Sequence, residues 1–163
     1  MEPDNNSQGS AALARLLTCL MFFTFAMTTD AVGSVIPRVI EEYRLSMTAA
    51  SAFQYATMLG IATGALLLGF LADRLGRQRT IILGLSLYGL SSLLVALGGQ
   101  FHALVAMLAL SGLGISIFKT AALALIGDIT ASPQAHTRFM NNVEGWFAVG
   151  AIVGPAIVAA LLT

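Results

Sequence analysis

Charged side chains are absent from residues 16–29, 45–72, 80–118 and 145–163, and polar clusters interrupt the apolar sequence only between these runs. A bilayer core takes about 20 consecutive apolar residues per helix. It also offers no water to pair with an open backbone, so uncharged runs of this length predict transmembrane α-helices. The run 80–118 is long enough for two crossings, and Gly98, Gly99 and Gln100 mark the turn between them. The pattern thus predicts five spans, near 13–37, 47–72, 79–97, 101–127 and 139–162. Residues 1–12, opening with MEPDNNSQGS, read as a short disordered cytoplasmic tail. The apolar run after Arg15 continues to Pro37 without a small-x-small cleavage site, and it reads as a retained anchor, not a removed leader.

Composition agrees with this class. The chain of 163 residues is 57% apolar and 10% charged, with a mean hydropathy of +0.85 and no net charge. That leaves too few polar groups to coat a soluble globule. The predicted fold is an all-α integral membrane protein. Cys19 is the single cysteine, so neither an intrachain disulfide nor a thiolate metal site can form. With a cytoplasmic N-terminus, Arg15, Arg74, Arg77, Arg79 and Arg138 lie on the inner side and only Arg38 and Arg44 on the outer. The positive-inside rule therefore orients the N-terminus inward, in a cell or inner membrane. Lys119 belongs to neither side, because it falls within the fourth span.

The segment GFLADRLGRQRT, residues 69–80, joins the second and third spans. Its arginines suit an inner anchor, but its other residues have positional roles. Gly69 lacks a side chain where the second helix ends, which allows another backbone to approach closely. Gly76 suits a left-handed turn. Asp73 can face a helix N-terminus, with Arg77 as its charge partner. Gly69, Asp73, Arg74, Gly76 and Arg77 match, at the same spacings, the G-x-x-x-D-R-x-G-R-[RK] signature of the major facilitator superfamily, which the chain resembles. Gln78 departs from the usual basic residue, with Arg79 following it.

Two further segments resemble that family. GLGISIFKTAALALIGDIT, residues 112–130, is similar to its Gly-rich fourth helix, with Lys119 near the place of a frequent arginine and Asp128 as the terminal acid. GAIVGP, residues 150–155, is similar to the core of its fifth-helix G-x-x-x-G-P motif. The longer antiporter form of that motif asks for glycines where this chain has Asn141, Val158 and Ala159, which weakens an antiporter assignment. Family members typically have twelve spans in two six-helix halves and bind substrate between the halves. The resemblance implies that five spans form a partial N-terminal six-helix bundle, whose partners are missing C-terminal helices or another chain. Asp73, Arg77 and Asp128 are then expected to form a charge relay at the cytoplasmic face.

Ionisable residues within spans are costly and mark candidate sites. By rise per residue, Lys119 and Glu144 lie roughly 13 and 9 Å from the inner ends of their spans, and Asp30 roughly 21 Å. Lys119 and Glu144 therefore meet more easily than Lys119 and Asp30, either as a register-fixing ion pair or as a substrate or proton site. Asp30 shares a helix face with Gly33, Ser34 and Pro37, in a helix that lines the central cavity of the family. It is either a proton carrier or an acid wetted by the outer interface. Gln54 could contact a polar solute or sit at the interface. Gly60 and Gly64, and Gly150 and Gly154 with Pro155, fall four apart and suit close helix packing. No nucleotide loop, nucleophile elbow, paired catalytic carboxylates or metal-ligand cluster occurs, so no enzyme, cofactor or nucleic-acid partner is implied. The expected function is secondary, proton-coupled transport of a small polar solute across the lipid bilayer, by a fragment unable to transport alone. A sugar-like solute is favoured because KTAA at 119–122 and GAIVGP resemble the fucose-type symporter branch. The alternatives are a drug/proton antiporter fragment and a non-transporting helical protein that associates with a partner.

Overall fold

The computed structural model describes residues 5–162. Six helices follow in order: α1 (Asn5–Tyr43), α2 (Met47–Leu68), α3 (Leu71–Arg74), α4 (Arg77–Ala96), α5 (Phe101–Asp128) and α6 (Pro133–Leu162). Five of them are long and apolar enough to cross a membrane, and no strand occurs among the described residues. The fold is all-α. Part of the segment expected as a disordered tail continues the first helix, because α1 begins at Asn5. Residues 1–4 of that segment lie outside the described residues.

Local chemistry explains the breaks between helices. The Ser46 side chain accepts a hydrogen bond from the Ala49 N–H at 3.1 Å and so caps α2. Gly98 and Gly99 take positive φ values of 75° and 154°, which end α4 and free the chain to start α5. The Tyr43 hydroxyl donates to the Gly99 carbonyl at 3.0 Å and ties the end of α1 to that turn. Ser132 caps α6 through the Ala135 N–H at 3.2 Å, and Pro133 occupies the first helical position, where its missing N–H costs nothing. As a result α6 begins ahead of the span predicted near 139–162, and His136 stands in its first turn, its ring 3.3 Å from the Thr130 hydroxyl.

The helices divide into two compact units, Met1–Arg38 with Ile126–Thr163, and Val39–Leu125. In the second unit, α5 carries small residues on two faces. Gly112 and Ser116 lie against Gly60 and Gly64 of α2, while Gly114 and Phe118 lie against Gly84 and Tyr88 of α4. A Cβ at Gly112 would overlap the Thr57 carbonyl and stand 3.0 Å from the Ile61 nitrogen. Lipid is as apolar as leucine, so helices in a bilayer associate through close packing of this kind and not through a hydrophobic drive. Ile115, Ile117, Phe118, Ala121 and Ala122 of α5 are buried.

The first unit is built the same way from α1 and α6. Thr18, Cys19, Phe22, Phe25 and Ala26 form a buried stripe on α1 at helical spacing. Gly150 and Gly154 of α6 press on the backbone of Phe23 and Met27. Trp146 meets Phe23 edge-on, with ring centroids 6.0 Å apart, and Phe147 lies 6.4 Å from Phe25. Hydroxyls inside these helices return to their own backbones, as Thr18 does to the Ala14 carbonyl at 2.8 Å. That removes the cost of an open polar group in an apolar setting.

Candidate functional site

The segment between α2 and α4 folds as a short helix clipped to the start of a long one. Gly76 has φ +85°, a conformation that strains any residue with a Cβ, and it turns the chain from α3 into α4. Across that turn, the Arg77 guanidinium donates to the Asp73 carboxylate at 2.6 Å. Arg74 folds back over the Phe70 ring, 5.0 Å from its centroid. The buried Thr80 hydroxyl lies within hydrogen-bonding distance of two carbonyls, Gly76 at 2.9 Å and Leu71 at 3.1 Å, and so stitches α3 to α4.

Gly69 is the C-cap residue of α2. The single atom near the place of its side chain is the Ala65 carbonyl oxygen of its own helix, at 3.0 Å, so no second backbone approaches it among the described residues. A Cβ there would crowd the last turn of α2. Asp128 ends α5 in the other unit from Asp73 and Arg77, and it makes interactions of its own.

The relative strength of these contacts can be tested. The Asp73 side chain is 74% exposed and Arg77 28%, so the pair contributes at most about 1 kcal/mol. Thr80 is buried, but the carbonyls it reaches also accept from backbone N–H groups, Leu71 from Leu75 at 2.9 Å and Gly76 from Thr80 itself at 3.2 Å. Removing its hydroxyl therefore leaves no orphaned carbonyl, and Thr80→Val is expected to cost about 1–2 kcal/mol. Thermal unfolding in detergent should rank Thr80→Val above Asp73→Asn; the reverse order would assign the loop's stability to the ion pair.

The candidate proton and substrate residues fall in both units. Asp30 is exposed on α1 beyond the buried stripe, and Gly33 has nothing within 4 Å of where a side chain would stand. Asp30 has no hydrogen-bond or ion-pair partner among the described residues. Gln54 is exposed on α2, Glu144 is exposed on α6, and Lys119 is half-buried on α5 with interactions of its own. Lys119 and Gln54 belong to one unit, Asp30 and Glu144 to the other. Thr80 and Tyr43 were not legible as structural residues from the sequence.

Comparison with known proteins decides the family. The model of the Major Facilitator Superfamily matches residues 18–163. The chain belongs to the major facilitator superfamily. It is 30% identical over 147 residues to a 4-hydroxybenzoate transporter of Pseudomonas aeruginosa, which covers 90% of this chain and 33% of that protein. It is 35% identical over 106 residues to a 3-(3-hydroxy-phenyl)propionate transporter of Escherichia coli, covering 65% of this chain and 25% of that one. A chloramphenicol resistance protein of Acinetobacter baumannii is 28% identical over 88% of this chain and 35% of its own. The chain spans between a quarter and about a third of the length of these relatives. As a major facilitator chain with five apolar helices, it is an integral membrane protein of a transporter family.

Proposed function

We propose that this chain is the N-terminal portion of a proton-coupled secondary transporter for a small hydroxylated aromatic acid. The observation that carries the reading is the exposed, unpartnered Asp30 in the first helix of a chain that matches the superfamily along nearly all its length. Ionisable groups in a membrane span are retained for pathways and relays. The relatives named for 4-hydroxybenzoate and 3-(3-hydroxy-phenyl)propionate favour an aromatic acid over the sugar suggested by KTAA and GAIVGP. In this reading Lys119 offers a cation for the substrate carboxylate and Gln54 a polar contact, while Glu144 is a second candidate proton site on α6. The Asp73–Arg77 pair braces the cytoplasmic loop between α2 and α4. The N-terminus faces the cytoplasm, and the remaining helices supply the other wall of the cavity.

A second reading, drug/proton antiport, is favoured by the relative named for chloramphenicol resistance. Transport assays in proteoliposomes separate the two. The transporter assembled from this chain and its remaining helices is expected to accumulate labelled 4-hydroxybenzoate when the outside is made acidic, while the 163-residue chain alone does not. Export of chloramphenicol against a proton gradient, without uptake of the acid, would replace the first reading with the second.

A further inference from the structure

A cavity of about 530 Å³ lies between the first turns of α6 and the early part of α1, entirely within one unit. Arg15 reaches it from α1, and Gln134, Arg138 and Asn142 from successive turns of one face of α6. Cys19, Phe139 and Trp146 make its apolar part. No acidic side chain lines it, and neither guanidinium has an ion-pair partner among the described residues. Arginines that serve only as topological anchors need neither a shared cavity nor convergence from two helices. Here two cations meet over one space whose other wall is aromatic and aliphatic.

Position in the membrane narrows the ligand. The apolar stretches of α1 and α6 begin at Ala12 and Pro133, so both arginines stand within a few residues of where those helices enter the bilayer. Four crossings separate the two helix starts, which places them at the same membrane surface. We propose that this cavity binds the phosphate of an anionic phospholipid, with Arg15 and Arg138 as a two-sided clamp and the lipid's glycerol and upper acyl carbons lying along Cys19, Phe139 and Trp146. Planar guanidinium forks match phosphate oxygens, and the amides of Gln134 and Asn142 add neutral donors. The cavity is large enough for a headgroup and too small for a whole lipid, so the chains run outward into the bilayer.

Trp146 is the only tryptophan in the chain and lines the site, which supplies a built-in reporter. The full 163-residue chain in phosphatidylcholine nanodiscs is given a minority of either brominated phosphatidylglycerol or brominated phosphatidylcholine, and quenching of Trp146 is compared. Preferential quenching by the anionic lipid is expected, corresponding to roughly five-fold or greater local enrichment, as one arginine near a membrane surface already provides. Arg15→Gln with Arg138→Gln is expected to abolish the preference. Arg38→Gln with Arg44→Gln, which removes the same charge elsewhere, is expected to keep it. Should the arginine pair impair folding by circular dichroism, Asn142→Asp places an acid in the cavity at almost unchanged shape and is expected to abolish the preference too. Equal quenching by the two lipids, or a preference that survives these cavity changes, would overturn the proposal. Loss of the preference on adding inorganic phosphate, at ionic strength matched with chloride, would reassign the site to a soluble anion and overturn the lipid assignment.

Discussion

Gly112→Val is expected to separate α2 from α5, with a loss of about 3 kcal/mol or more of stability in detergent. The added side chain has no room to relax: its Cβ alone would overlap the Thr57 carbonyl and stand 3.1 Å from the Cα of Gly60. Backbone, unlike a flexible side chain, cannot turn aside. Gly89→Val is the control, because nothing lies within 4 Å of its Cβ position. Valine is a poorer helix former than alanine but not than glycine, so the control should change stability by less than about 1 kcal/mol. Loss of helical circular dichroism during titration with a denaturing detergent gives both values. Similar losses at the two positions would mean that the α2–α5 seam is not what holds this unit together. Because the contact is backbone on backbone, even Gly112→Ala should lie nearer the valine change than the control.

The same physics decides what could be read from the sequence. Uncharged runs announce helices in lipid because charge at the bilayer centre is expensive, and five helices followed from that alone. Glycines four apart, at Gly60/Gly64 and Gly150/Gly154, announce a flat helix face, but not which helix will cover it. Gly84 escaped notice because its partners, Gly114 and Phe118, lie on another helix and it has no glycine four positions away. Thr80 carried no signal as a polar residue at a helix start, where a hydroxyl is ordinary; only the fold brings Leu71 and Gly76 to it. Arg15 and Arg138 were each legible as inner anchors. Their convergence on one cavity depends on α1 packing against α6, and that contact rests on Gly150 and Gly154 at the other end of the helix. Helix positions are thus local information, while side-chain meetings are set by which small faces happen to match.

Asp30→Asn is expected to abolish proton-driven accumulation in the transporter built on this chain while sparing solute exchange. Asparagine keeps the size and shape of the side chain and removes its titratable proton. Asp30 makes no hydrogen bond or ion pair among the described residues, and its face of α1 continues through the open Gly33, so the substitution strands no buried partner. Helix stability should therefore change by less than about 1 kcal/mol, in keeping with exposed substitutions that touch no special feature. Any large effect must then come from the proton. Coupling requires that proton occupancy at one site change solute affinity or the balance of inward and outward states, and a neutral side chain cannot supply that difference. Counterflow of labelled against unlabelled solute needs only binding and alternation, so it should persist at a substantial fraction of the wild-type rate. Uphill uptake under an imposed proton gradient should fall to the level of empty liposomes, and its dependence on outside pH should flatten. If Asp30→Asn left both uphill uptake and its pH dependence intact, Asp30 would be an acid wetted by the outer interface. Glu144→Gln would then become the decisive substitution, since Glu144 is another exposed acid of the same unit and stands inside its span, not at the span's end as Asp128 does.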